Sequence, residues 1–124
     1  MKPTLSAALA ALLLTPTAVL SAGDAPKPPF QLALGKQLFE DNCAACHGQW
    51  ANGTDKGPAL THRFYLPNHH ADEAFYRAAM NGVRAHHWNF GDMPPVEGIT
   101  RRKLDRIVPY VRWLQKQQYQ KQGG

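Results

Sequence analysis

The sequence predicts an all-α domain, and three observations carry that prediction. Apolar residues recur at helical spacing in three stretches, about residues 31–42, 71–81 and 101–118. The segment from Gly48 to Gly57 is rich in turn formers and has no sustained periodicity, so it reads as a loop. Both cysteines of the 124-residue chain fall in one pentapeptide, Cys43-Ala44-Ala45-Cys46-His47, within helical surroundings.

In chain order, Met1-Lys2 is followed from Leu5 to Leu20 almost entirely by Ala, Leu, Val, Thr and Ser, interrupted by Pro16. A charged start, a short apolar run and the small residues Ser21-Ala22 describe a signal peptide, residues 1–22. Sixteen residues with an internal proline are short for a bilayer span, so no transmembrane segment is expected after cleavage. The remaining 102 residues would form one domain with a modest core. Loss of Lys2 leaves 13 Lys and Arg against 9 acids, a net charge of +4. That mild basicity favours anionic partners, yet no stripe of the nucleic-acid-binding kind is present.

Residues 23–30 form a proline-rich lead that resists helix formation. In the first helix Leu34 pairs with Leu38 and Gly35 with Phe39 at i, i+4 spacing. A glycine inside a helix costs about 1 kcal/mol relative to alanine, which makes sense where another helix must come close.

Cys43 and Cys46, three positions apart, stand about one helical turn from each other. They can add across the two vinyl groups of a porphyrin, with His47 facing the iron; C-x-x-C-H is a haem-attachment pattern. A thioredoxin-like pair would need a βαβ context. Structural zinc would need four ligands, and a simple disulfide would leave the adjacent histidine unexplained.

The helix over 71–81 would be capped by Asn68, or by Asp72 if it starts later, and stopped by Asn81-Gly82. Its apolar side is Phe75, Ala79 and Met80. Thr100 is the expected cap of the last helix, 101–118, whose stripe is Leu104, Ile107, Val108, Val111 and Leu114. Pro109 predicts a kink or a 3₁₀ stretch near Asp105 to Pro109. From Gln115 the chain is glutamine-rich and fraying is expected, with residues 119–124 a flexible tail.

From Cys43 onward the chain resembles the class I cytochromes c of the small bacterial kind, over about residues 30–118. The resemblance implies three main helices and short helical turns wrapped around one covalently bound haem c. It implies a sixth iron ligand on a methionine in an M-P turn, here Met93 in Gly91-Asp92-Met93-Pro94-Pro95. It implies that Gly57-Pro58-Ala59-Leu60 supplies the Pro58 carbonyl as acceptor for the Nδ1 proton of His47, fixing its tautomer. Gly35 with Phe39, and Ile107 with Tyr110, correspond to the family's crossing of first and last helices. Haem joining outside the cytoplasm fits the signal peptide and a periplasmic address.

Arg84 and Trp88 precede the Met93 turn, where guanidinium or indole N–H would reach a haem propionate. Packing against the haem edge explains Trp88 and Phe90 equally well. His62, His69, His70, His86 and His87 compete with Met93 for the sixth position. The pairs His69/His70 and His86/His87 also raise a second metal such as copper. They flank the third helix and converge only if the loop after Gly82 folds back. Arg101, Arg102, Lys103 and Arg106 oppose the macrodipole at the start of the last helix, as solvated charges or as a docking patch for an acidic partner.

The expected function is single-electron transfer between larger redox proteins by a monomeric, non-enzymatic carrier with transient partners. The alternatives are a copper-handling haem protein using the His pairs, and a gas-binding or sensor haem protein should Met93 not reach the iron.

Overall fold

The computed structural model describes residues 26–122. The signal peptide expected at 1–22, the start of the lead and the last two residues lie outside them. The helices are α1 (Ala33–Asn42), α2 (Ala44–His47), α3 (Asp72–Asn81) and α4 (Arg101–Gln122). Single 3₁₀ turns occupy Phe30–Leu32 and Arg63–Tyr65. Among the described residues the only β-type pairing is an isolated antiparallel bridge between Val83 and Met93. No helix among them is long and apolar enough to cross a membrane.

The five stripe residues of α4, Leu104 to Leu114, are each no more than 3% exposed. They bury one face of the longest helix against α1 and α3, the packing that an amphipathic helix requires for stability. Gly35 marks where α1 crosses α4. A Cβ there would collide with the Arg106 carbonyl oxygen and sit 3.1 Å from the Tyr110 Cβ. The glycine thus allows backbone-to-backbone approach, and its helix penalty of about 1 kcal/mol is offset by the packing. One turn on, Phe39 and Tyr110 meet with ring centroids 5.7 Å apart at 59°. Both are fully buried, and such a tilted pair is worth about 0.5–1.5 kcal/mol beyond its burial.

Several expectations are corrected. α4 is α-helical throughout, Pro109 included, so the 3₁₀ alternative expected near Asp105 to Pro109 is not formed. Pro109 is exposed, so the carbonyl of Asp105, deprived of its usual donor, lies on the solvent side, where water can satisfy it. The helix also extends to Gln122, past the expected end at 118. Gln115 does not fray but is 2% exposed. Its Nε2 donates to the carbonyls of Leu60 (2.8 Å) and Tyr65 (3.0 Å). Leu34 and Met80 are exposed rather than core.

The N-cap of α3 is Ala71, with no side-chain cap bond, in place of Asn68 or Asp72. Asp72 and Glu73 instead occupy the first turn, where carboxylates suit the positive helix end. Thr100 does cap α4, its Oγ1 accepting from the Lys103 N–H at 3.3 Å. Arg101 is not freely solvated: it grips Glu73 through two bonds of 3.2 and 2.9 Å and lies over the Tyr76 ring. That fork ties the start of α4 to the start of α3.

Candidate functional site

Cys43 is the N-cap of α2, and the single helical turn that follows carries Cys46 and His47. The loop after it is folded back over that turn. The Thr54 hydroxyl donates to the Cys46 carbonyl at 2.6 Å, and the Gly53 N–H to the His47 carbonyl at 2.7 Å. The same loop brings Pro58 to His47, with Nδ1 and the Pro58 carbonyl oxygen 2.9 Å apart. A carbonyl only accepts, so Nδ1 carries the proton and Nε2 keeps the lone pair. His47 is 8% exposed. Burial holds its pKa below the usual imidazole value, opposed in part by the Pro58 bond, so the ring is neutral at pH 7 and able to bind a metal.

The thiols of Cys43 and Cys46 are both free. Burial, with Cys46 adding to it, pushes the Cys43 thiol up to about 11. Cys46 is exposed.

Met93 arrives from the other side of the sequence. Gly82 ends α3 at φ +78°, a conformation costing a side-chain-bearing residue roughly 1–2 kcal/mol. The chain beyond returns at once to place Met93 beside Val83, with backbone bonds of 2.9 and 2.8 Å exchanged between them. The Val96 N–H then donates to the Ala79 carbonyl at 2.8 Å, closing the segment onto α3.

These pieces enclose one cavity of about 730 Å³. Cys43, Cys46, His47, Pro58, Arg84, Trp88 and Met93 all line it, with apolar walls from Phe39 and the α4 stripe. Every residue singled out from the sequence as a haem contact is therefore brought together. The indole N–H of Trp88, expected to be available to a propionate, is instead donated to the Tyr65 hydroxyl at 3.0 Å. Two thiols, a tautomer-fixed imidazole and a thioether around an apolar slot fit a covalently held porphyrin, whose faces are apolar and whose iron takes nitrogen and sulfur donors.

Two residues that sequence reasoning missed hold the site's far wall. Arg112 on α4 donates to the carbonyls of Tyr65 and His70, 2.6 Å each, and to Asp72 at 2.7 Å, while its guanidinium lies over Phe75. Gln115 joins it on Tyr65. The spacing of Gln115 from Val111 continued the buried stripe and was the available signal; Arg112 had none.

The His pairs also come together. His70, His86 and His87 line the cavity rim, and donor nitrogens of His69, His70 and His87 lie within 4.8 Å of one another. The loop after Gly82 does fold back. Partial burial, and then the neighbouring imidazoles of His86, His69, His70 and His62, hold the His87 pKa below its usual value.

The cytochrome c family model matches residues 32–115. Over 87 residues the chain is 36% identical to the cbb3-type cytochrome c oxidase subunit CcoP of Rubrivivax gelatinosus, covering 68% of this chain and 26% of the relative. It is 29% identical over 90 residues to the CcoP subunit of an Azospirillum species, covering 66% of this chain and 30% of the relative. A 35-residue segment is 51% identical to the FixP subunit of Sinorhizobium medicae, covering 28% of this chain and 12% of the relative. The chain thus spans less than a third of the length of these relatives. No solved structure matches it. With the family match running from the start of α1 through most of α4 and the haem-attachment pattern inside it, this chain belongs to the cytochrome c family, as a class I-type electron-transfer c-type cytochrome.

Proposed function

We propose that the protein is an exported, periplasmic carrier of single electrons in which Cys43 and Cys46 would hold one haem c through thioether bonds and His47 and Met93 would ligate its iron. The observation that carries this reading is that both thiols, His47 and Met93 line one apolar cavity. When bound, the haem supplies the one-electron couple between ferric and ferrous iron.

The chain's own residues do the rest. The Pro58 carbonyl keeps the Nδ1 proton in place, so His47 presents Nε2 and donates strongly. The bridge to Val83 fixes the backbone of Met93, and a thioether together with an imidazole on the iron would favour the reduced state and a high potential. The α4 stripe excludes water and limits rearrangement between the oxidation states. Arg84, exposed at the rim, is the proposed propionate contact; Trp88, with its N–H on Tyr65, serves as apolar cover. Partners are redox proteins met transiently.

A second reading of the partner is favoured by the comparisons. Because the relatives are subunits of cbb3-type oxidases, this domain would pass electrons to, or work within, such a complex. Mass spectrometry of the exported protein tests the common core of both readings. The expected result is one haem on the peptide holding Cys43 and Cys46, with a one-electron Nernst curve in redox titration. Protein exported without covalent haem would sink the proposal.

A further inference from the structure

Four imidazoles gather at the cavity rim. Ring centroids are 4.9 Å apart for His69 and His70, 5.4 Å for His69 and His87, 5.5 Å for His70 and His87, and 4.2 Å for His86 and His87. Two sequence segments separated by the whole of α3 are needed to build this cluster, and electron transfer by a His/Met haem uses none of it. Packing alone would be as well served by aliphatic side chains.

The surroundings are built as for a metal. His70 Nδ1 faces the Phe64 carbonyl in a hydrogen bond. An oxygen acceptor there puts the proton on Nδ1 and leaves Nε2 with its lone pair, the arrangement that fixes and strengthens metal-binding histidines. The backbone at this position is clamped from both sides. The N–H groups of His69 and His70 both reach the Leu66 carbonyl, at 2.9 and 2.8 Å, and the His70 carbonyl takes Arg112 Nη2 at 2.6 Å. On the other segment Phe64 stacks on His87 at 4.6 Å and 23°, and the Ala85 N–H is held by Asp92 at 2.8 Å.

We propose that His69, His70 and His87 form a second, mononuclear metal site for a divalent first-row ion of the copper or zinc kind, with its fourth position open to solvent. Three neutral imidazoles without a carboxylate suit these borderline ions and not the oxygen-seeking magnesium or calcium. Nitrogens bound at about 2.0–2.1 Å to a tetrahedral ion are about 3.3 Å apart. The observed donors, within 4.8 Å of one another, close onto an ion by modest side-chain rotation. His69 is exposed and His70 and His87 are half-buried, so the ion enters from solvent without opening the haem cavity. His86 is not in the donor set: the nitrogens that lie within 4.8 Å of one another are those of His69, His70 and His87.

The test titrates holoprotein, first dialysed against a chelator, with Zn(II) by calorimetry; zinc is redox-silent, so the haem oxidation state does not enter. One saturable equivalent is expected. Loss of a partner that merely orients a ligand already weakens metal sites 10- to 100-fold, so His69→Ala and His87→Ala should each lose about tenfold or more. His86→Gln should bind like wild type. An unchanged haem spectrum in each variant certifies the fold and shows that none of these histidines ligates the haem. Zinc-edge absorption should show three imidazoles at about 2.0 Å. Absence of saturable binding, binding undiminished in His69→Ala, an equal loss in His86→Gln, or sulfur scattering at the zinc would each overturn the site.

Discussion

Val83 and Met93 exchange both of their backbone hydrogen bonds, N–H to carbonyl at 2.9 and 2.8 Å, in the one β-type bridge among the described residues. A side chain twelve residues past the end of α3 is thereby held at a fixed place on the cavity wall, although its flanking prolines and glycine belong to no regular element.

Gly82 makes this bridge geometrically possible. Its φ is +78° and a Cβ there would stand 2.6 Å from the Met93 carbonyl oxygen. Gly82→Ala combines left-handed strain with that overlap, and should cost about 2 kcal/mol or more. Urea denaturation of the holoprotein measures it. Unchanged stability would mean that the turn is not under the constraint described.

Arg112 and Asp72 separate an exposed ion pair from a buried clamp. The carboxylate is 64% exposed while the guanidinium is 12% exposed, so the pair itself is worth at most ~1 kcal/mol. Arg112 also donates to the carbonyls of the half-buried Tyr65 and His70, bonds that the Asp72 carboxylate does not share. Asp72→Asn is therefore expected to be near neutral, and Arg112→Ala to cost about 2–3 kcal/mol. Equal losses in the two variants would refute this division.

Tyr110 is fully buried, and among the described residues its hydroxyl finds no hydrogen-bond partner. Burial, with a smaller contribution from Glu40, pushes its pKa up to about 12 from 10. Below pH 10 the phenol is neutral in both folded and unfolded chains and its titration costs nothing. Between pH 10 and 12 the unfolded chain loses the proton first, so stability falls as pH rises. Tyr110→Phe removes an unsatisfied polar group and should gain about 1 kcal/mol at pH 7. It should also flatten the stability loss above pH 10. A destabilised variant at pH 7 would show that the hydroxyl has a partner in solution.

Much of this architecture was legible in the sequence where burial follows apolar periodicity. The stripe from Leu104 to Leu114, the Gly35 crossing and the Gly82 stop all came from spacing or backbone chemistry. What escaped was polar or tertiary. Arg112 and Gln115 are buried by hydrogen bonds to loop carbonyls, which a pattern of apolar residues does not register. A 3₁₀ stretch was one expectation at Pro109, but the helix stays α there, because on the solvent face the freed carbonyl is cheap to satisfy. Past 118 the run of Gln and Lys lacks a stripe yet consists of good helix formers, so α4 continues. Met80 fell at helical spacing from Phe75 and Tyr76 but faces outward, because Ala79 fills the place against α4. The convergence of His69, His70 and His87 depends on the return of the loop after Gly82, which no local signal reveals.

His47 and Met93 are together the proposed ligands of one haem iron. An optical spectrum of the ferrous holoprotein before and after carbon monoxide, for wild type and Met93→Ala, tests this most directly. No change is expected in wild type, and gas binding is expected in the variant. Gas binding by wild type would contradict it and make a sensor or gas-binding haem protein the leading reading, and a variant that still excludes the gas would mean that another residue, a rim histidine first among them, holds the sixth position.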